Sequence, residues 1–249
     1  MSQLFRKMRQ QLFAGGQLPN LLLYVIGEIF FVVVGILVAF QVDNWTEERK
    51  MRREEITLLK SLKREMTDNV KQLEEVISHN NRSGQAASKL LEIYRGDFQQ
   101  LKPERLDSLL AQVQWAWTFN PKLSVLNSIK VNGKIGAIQN PAIQEFIASF
   151  EEMADDSEEE SLVVRSIIAD KYVLAVSKYI SVSSRVKYLG FHLSESKFQS
   201  DYKGVFNDRE IESVLAYIYV WRENEGKELA QLHRLLSEDI AIMEKEIAQ

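Results

Sequence analysis

Glu28 is the residue of this 249-residue chain whose chemistry stands out, because it is the only charged side chain among residues 21–40. The apolar run LLLYVIGEIFFVVVGILVAFQV, residues 21–42, surrounds it. A carboxylate inside a bilayer costs about 2.5 to 3.5 kcal/mol, a cost that protonation or a partner reduces. Three interpretations are open: a neutral acid hydrogen-bonded to Tyr24 or to a neighbouring helix, a proton or ion relay, or a contact with a lipid headgroup or partner subunit.

Other patterns that carry catalytic or metal chemistry are absent from the sequence. The chain has no cysteine, and its histidines have no neighbour at metal-binding spacing. No phosphate-binding glycine loop or nucleophile elbow occurs, and the acidic run at residues 155–160 lacks the glycine and alternation of a calcium loop. The net charge of -4 gives no basic field for nucleic acid. We therefore expect no enzyme activity, no cofactor, no metal site and no nucleic-acid partner.

The element that must position Glu28 is a membrane-spanning helix. Twenty residues rise about 30 Å, which matches the hydrocarbon thickness of a bilayer. The apolar run ends in Phe40, Gln41 and Val42 without the small residues of a cleavage site, so we predict an uncleaved transmembrane helix at residues 18–42. No later stretch is long and apolar enough to span, which predicts a single pass.

One face of this helix collects the polar and small residues. At 100° per residue, Glu28 lies on a stripe with Gly35 and Ala39, whose spacing lets a second backbone approach closely. We predict that the chain pairs with a copy of itself or with another membrane protein through this stripe. The residues predicted for transmembrane packing or an ion relay are Tyr24, Gly27, Glu28, Gly35 and Ala39.

For the N-terminal residues 1–17 we predict an amphipathic helix that lies in the membrane interface, and the alternative is a basic tail. Its basic face carries Arg6, Lys7 and Arg9. Positive charges flank both ends of the span almost equally, but a basic amphipathic helix prefers the anionic cytoplasmic leaflet. We therefore expect a bacterial inner-membrane protein with a cytoplasmic N-terminus and a periplasmic body.

Residues 43–249 predict an elongated helical bundle with long first and last helices, giving an all-α fold. The first helix either runs unbroken out of the membrane or restarts at Asn44, and the last begins at Asn207 or Asp208 and ends near 247. Shorter helices are predicted from Pro103, from Asn140 with Pro141 and, after the acidic run, over residues 161–180, whereas residues 186–193 could be extended. Trp115, Trp117 and Phe119 form an aromatic cluster, interpreted as core or a capping corner with a binding pocket as the alternative.

Two segments carry a resemblance to a known family. YVIGEIFFVVVGILVAFQVDNWTEERK, residues 24–50, and FNPKLSVLNSIKVNGKIGAIQNPAIQEFIASF, residues 119–150, resemble a family of uncharacterised bacterial membrane proteins of unknown function. The family reads serine-glycine or a similar pair where this chain has Asn132 and Gly133. The resemblance implies no activity, but it implies a shared anchor motif: Gly27, Glu28, Gly35, Gln41, Asn44 and Trp45. Of these, Gln41, Asn44 and Trp45 are predicted to lie at the membrane interface with Arg6, Lys7 and Arg9.

The sequence thus favours a non-enzymatic, single-pass anchor protein whose helical body is a scaffold or sensor-like module, oligomerising partly through its anchor. The rival hypothesis is a subunit of an ion-driven membrane complex that uses Glu28 as proton acceptor. A third is a lipid or peptide binder that uses the interior of the bundle.

Overall fold

The computed structural model describes residues 18–96 and 101–249, with side chains from residue 26 onward. The predicted interfacial helix at residues 1–17 lies outside this range. The chain divides into two compact units, Met1–Glu55 and Ile56–Gln249. The described residues contain helices and no strand, so the predicted all-α class is confirmed.

Two long helices and several short ones make up the described chain, as the sequence predicts for its first and last helices. The α-helices are α1 Leu18–Arg95, α2 Pro103–Val113, α3 Ser124–Val131, α4 Pro141–Ile167, α5 Val173–Ser177, α6 Val182–Val186, α7 Tyr202–Val205 and α8 Arg209–Ala248. Two 3-10 turns cover Lys134–Ala137 and Lys187–Leu189, and a π-helical turn covers Ile168–Tyr172.

Helix α1 is assigned without a break, so of the two expectations for Asn44 the restart is wrong. The sequence explains the continuity, because no proline follows Pro19 before Pro103 and no glycine lies between Gly35 and Gly84. A lone asparagine with a favourable capping pattern does not end a helix whose backbone bonds can continue past it.

The predicted helix starts at Asn140 and Asp208 are confirmed. The Asn140 side chain accepts a hydrogen bond from the Ala142 N–H at 3.0 Å, next to Pro141 in the first turn. The Asp208 carboxylate accepts from the Glu210 N–H at 2.7 Å. Both side chains satisfy backbone donors that a helix leaves without internal partners.

Two predictions about the later helices are wrong. Helix α4 passes through the acidic run instead of ending before it, because the acids flank an inner row of small buried residues, Ala154, Ser157 and Ser161. The run is the outer side of an existing helix and not the start of a new one. Of the stretch suggested as extended, residues 186–189 form the end of α6 and the 3-10 turn Lys187–Leu189, which ends at Gly190 with a φ of +86°, and residues 191–193 belong to no helix or strand.

The bundle of unit Ile56–Gln249 holds two hydrophobic cores along α1 and α8. Core A contains the buried side chains of Leu59, Leu62, Met66, Leu73, Val76, Phe119, Leu126, Ile129, Ile138, Ile143, Phe146, Ile147, Phe150, Ala154, Leu229, Leu232, Leu236 and Met243. Core B contains those of Ala86, Ala87, Leu90, Leu106, Leu109, Leu110, Val113, Val164, Ile168, Tyr172, Ala175, Val176, Ile180, Val205, Phe206, Ile211, Leu215 and Ile218. On α1 core A ends at Val76 and core B begins at Ala86. The residues between them include the buried polar side chains of Asn80 and Ser83.

Candidate functional site

The N-terminal part of α1 presents an apolar surface to its surroundings. Every residue from Ile26 to Val42 is exposed except Gly27, which is half-buried. Phe31, for example, is 75% exposed. In the part of the chain that is described, α1 is the one helix long and apolar enough to cross a membrane, and none of its apolar window is buried. This surface is compatible with a membrane anchor, since burying it in lipid is favourable by about 25 cal/mol for each Å² of apolar surface taken from water.

Glu28 lies on this apolar surface with no described partner. Its side chain is exposed, and it makes no hydrogen bond or ion pair with any residue that the structure describes. Gly35 is open, because a Cβ placed there would meet nothing within 4 Å, and Ala39 is exposed. The side chain of Tyr24 lies outside the described part, so the proposed Tyr24 to Glu28 hydrogen bond stays a prediction.

The predicted interface residues continue along α1. Gln41 and Asn44 are exposed, and the guanidinium of Arg49 lies 3.5 Å from the centre of the Trp45 indole. A cation stacked on an indole combines an apolar face with a charge, which suits the headgroup zone of a bilayer. The stacking of Arg49 on Trp45 was not predicted, although a spacing of four residues places the two side chains on one face of a helix. Arg6, Lys7 and Arg9 lie outside the described residues.

A buried polar network lies in the bundle on the stretch of helix between the two cores. Arg222 of α8 and Glu225 form an ion pair at 2.7 Å, with side chains only 2% and 1% exposed. Arg222 also donates from Nε to the Ser83 hydroxyl at 3.2 Å, from Nη1 to the Asn80 side-chain oxygen at 3.3 Å and from Nη2 to the Trp115 carbonyl at 2.8 Å. Asn80 donates in return to the Arg222 carbonyl at 2.9 Å. Each guanidinium nitrogen is thus satisfied, which a buried arginine requires.

The network reaches further helices and needs close backbone approach. Ser83 donates to the Val113 carbonyl at the end of α2 at 3.0 Å, and Ser161 of α4 donates to the Glu225 carboxylate. A Cβ on Gly84 would lie 3.3 Å from the Arg222 Cβ, and one on Gly226 would lie 3.0 Å from the Asn80 side-chain nitrogen. The two glycines therefore let α1 and α8 come close enough for the network to form.

A second set of polar contacts holds the segment before α3 onto α1. Glu65 is 7% exposed, and its carboxylate accepts from the N–H groups of Val125 at 2.8 Å and Leu126 at 3.1 Å. Asn69 accepts from the Lys122 N–H at 2.8 Å and donates to the Lys122 carbonyl at 2.9 Å. A side chain 60 residues away thus caps the N-terminus of α3, where negative charge is favourable.

Arg185 is a further buried charge, close to core B. It is fully buried and donates to Gln114 at 3.3 Å and to the Ser177 hydroxyl at 3.2 Å, while its Nε has no partner among the described residues. Burial lowers the pKa of the Arg185 guanidinium, against the opposite influence of Tyr172 and Asp107. Burial likewise raises the pKa of the Asp107 carboxyl. The Arg185 guanidinium is therefore less completely hydrogen-bonded than the guanidinium of Arg222.

The three aromatic residues Trp115, Trp117 and Phe119 have different environments, and these fit different interpretations of the cluster. Phe119 is buried in core A, as the core interpretation predicts. Trp117 is 37% exposed and stacks on His79 with ring centres 4.1 Å apart. Trp115 lies beside a cavity. No group of three or more potential metal ligands was found within the described ranges.

Fold and surface together define a class: an all-α protein whose N-terminal helix has the length and composition of a membrane span and whose remaining residues form a helical bundle. Residues 28–177 match the family of unknown function DUF6090, and because the match covers more than half of the chain, the protein belongs to this family. The prediction of an uncharacterised family is thereby confirmed, and the matched range includes Glu28, Gly35, Gln41, Asn44 and Trp45. The bacterial origin and the detailed signature stay predictions. No curated protein and no solved structure matches the chain.

Proposed function

We propose that this protein is a single-pass membrane protein of the bacterial inner membrane whose helical bundle is a scaffold or sensor-like module, and that its membrane helix pairs through the stripe containing Glu28. The exposed apolar surface from Ile26 to Val42 is the observation that carries the proposal. A soluble helix with that surface in water would aggregate, whereas a bilayer covers it.

Membrane insertion is tested by extraction of cell membranes with alkaline carbonate, which releases peripheral proteins. We expect the full chain to remain in the pellet. A variant in which Phe30, Val33 and Leu37 are each replaced by Lys should be released or degraded. Release of the unaltered chain would contradict the membrane assignment.

Helix pairing supplies the economical explanation of Glu28. A protonated carboxyl on a helix–helix interface finds a hydrogen-bond partner that lipid cannot offer, and the open positions at Gly35 and Ala39 permit close contact. Because the chain has no cysteine, a single introduced thiol is a unique reporter. Ala39 lies within about 20° of Glu28 on the helical wheel and Leu37 lies on the opposite side, since each residue turns by about 100°.

The pairing test compares Ala39→Cys with Leu37→Cys in native membranes under mild oxidation. We expect disulfide-linked dimers for Ala39→Cys and few for Leu37→Cys. Equal cross-linking at the two positions, or none at either, would argue against a Glu28-centred interface. Adding Glu28→Leu to Ala39→Cys should reduce the dimer yield, whereas Glu28→Gln, which keeps hydrogen-bonding groups, should reduce it less.

The rival function, proton acceptance in an ion-driven complex, rests on the same carboxylate. Proton uptake by proteoliposomes that contain the full chain discriminates between the two. Uptake that disappears in Glu28→Gln while Ala39→Cys cross-linking is unchanged would favour the rival. Reporter fusions at the C-terminus test the orientation, for which we propose a cytoplasmic N-terminus and a periplasmic bundle.

A further inference from the structure

A cavity of about 220 Å³ lies in the bundle, in unit Ile56–Gln249. It is lined by His79 and Arg82 of α1, Gln112 of α2, Trp115, and Tyr188 and Leu189 of the 3-10 turn. An apolar cavity of about 150 Å³ is large enough for benzene, so this one has room for a single ring with a substituent.

Two of the rings that line the cavity, those of His79 and Trp115, are nearly parallel, and Trp117 stacks on His79 without lining the cavity itself. The rings of His79 and Trp117 are 4.1 Å apart with planes inclined by only 6°, and those of His79 and Trp115 are inclined by 18°. Trp115 and Trp117 are inclined by 21°. Nearly parallel ring planes favour the stacking of another planar group, because offset stacking is a preferred aromatic arrangement.

Arg82 brings hydrogen-bond donors to the cavity that are only partly used within the chain. Arg82 contacts only the Ser78 carbonyl and hydroxyl, each at 3.4 Å, and makes no ion pair with the described residues. The Nε1–H of Trp115 is buried and has no hydrogen-bond partner in the described structure. Because the Trp115 N–H is excluded from solvent, it does not open onto the cavity, and Arg82 is the charged donor that a ligand can reach.

The charge of the lining is positive. No carboxylate lines the cavity, and burial together with the nearby Arg82 lowers the pKa of the His79 imidazole, against an opposite influence of Glu75. Arg82 is therefore the main source of positive charge in the cavity.

We propose that this cavity binds a small organic anion that carries a flat unsaturated ring. The ring lies against Trp115 and His79, and the anionic group pairs with the guanidinium of Arg82. This site does not depend on the membrane pairing proposed above, and the loss of one leaves the other intact.

Three matched probes test the chemistry of the ligand: benzoate, which is planar and anionic; benzamide, which is planar and neutral; and cyclohexanecarboxylate, which is anionic and not planar. Binding to the full chain in lipid nanodiscs is measured by ligand-detected saturation-transfer NMR, with empty nanodiscs subtracted. We expect benzoate to bind about tenfold more tightly than either analogue, the scale of one charge-assisted hydrogen bond or one stacking contact. Equal binding of the three probes, or no binding of benzoate above the empty nanodiscs, would overturn the proposal.

Variants locate the site. Arg82→Gln should weaken benzoate binding about tenfold and Arg82→Lys less, because lysine keeps the charge without the forked donors. Trp115→Phe, which keeps a ring of smaller area, should weaken it by a smaller factor. Arg64→Gln, an exposed arginine on the same helix outside the cavity, is the control and should bind as the unaltered chain does.

Arg82 is exposed, so its replacement is not expected to unfold the bundle, and thermal melting of each variant verifies this. Unchanged benzoate affinity in a folded Arg82→Gln variant would place any binding elsewhere and refute the assignment.

Discussion

Arg222 and Glu225 form an ion pair that is 2.7 Å long and almost fully excluded from solvent, one turn apart on α8. The pair connects α8 with α1 through Asn80 and Ser83, with the backbone after α2 through Trp115, and with α4 through Ser161. Such a pair contributes little net stability compared with an apolar replacement, but its geometry is demanding, so it selects one arrangement of the helices.

Removing one member of this pair should be far more damaging than removing an exposed one. We expect Arg222→Met to lower the free energy of unfolding by about 3 to 5 kcal/mol, because Glu225 is left buried without its cation. The double variant Arg222→Met/Glu225→Leu should recover part of this loss. Thermal unfolding of the full chain followed by circular dichroism is the measurement.

Lys178 and Glu210 provide the control, since they form an ion pair at 2.8 Å with both side chains 55% exposed. Lys178→Ala should leave the melting temperature unchanged within error. If Arg222→Met melted like the Lys178→Ala control, the network would not hold the helices together.

The cap that Glu65 places on α3 predicts a local effect as well as a global one. Glu65→Ala should cost about 1 to 2 kcal/mol of stability, the range for a lost helix cap. Hydrogen exchange of the Val125 and Leu126 amides should accelerate, since these N–H groups lose their acceptor. Glu75→Ala, at an exposed position on the same helix, should leave that exchange unaltered. Unchanged protection in Glu65→Ala would mean that the carboxylate does not cap α3.

The raised pKa of Asp239 should make the stability of the protein depend on pH. Burial raises the pKa of its carboxyl to about 6, and the charges of Glu238 and Glu145 act in the same direction. The folded state therefore holds a proton that the unfolded chain releases near pH 4, so stability falls as the pH rises from about 4 to about 6. Asp239→Asn should remove this fall and stabilise the protein at pH 7 by on the order of 2 kcal/mol.

Unfolding midpoints measured at several pH values test this prediction. The advantage of Asp239→Asn should be small at pH 4 and largest above pH 6. Glu238→Gln, which removes one of the neighbouring charges, should give a smaller gain in the same direction. An advantage of Asp239→Asn that did not change with pH would point to packing instead of ionisation.

The position of Gly204 in α7 has no room for a side chain. A Cβ at this position would clash with the ring of Tyr179, whose hydroxyl donates to the capping carboxylate of Asp208 at 2.9 Å. Gly204→Ala should therefore cost about 1 to 3 kcal/mol, the range for overpacking. Gly136→Ala, where a Cβ would meet nothing within 4 Å, should be nearly neutral in the same melting assay. Equal melting temperatures for the two variants would show that the Tyr179 ring moves aside at little cost.

Local chemistry was enough to predict several helix starts. Asn140 with Pro141 and Asp208 act on the residues directly after them, so their role is visible in a short window of sequence. The acidic residues around Asp155 gave a wrong prediction of a new helix for a related reason. Negative charge suits a helix start, but it equally suits the exposed side of a helix that is already running.

The polar network and the cavity could not be predicted in the same way. Asn80 and Arg222 are 142 positions apart, and nothing in either residue type names the other as its partner. Glu65 reads as one surface acid among many until α3 is placed beside it. The stacking of His79 on Trp117 depends on the fold, because no local pattern relates two residues so far apart in the sequence.

The π-helical turn at Ile168–Tyr172 is a place where the chain can change its length by one residue without turning the helix that follows. This turn holds one residue more than an α-helical turn would, and Tyr172 at its end is fully buried with its hydroxyl donating to the Leu110 carbonyl at 2.8 Å. Deleting one residue before Tyr172 in this turn would restore regular α-helical winding and leave the residues after it, such as Val176 of core B, facing nearly the same way. Members of the family that lack this turn should therefore be one residue shorter there.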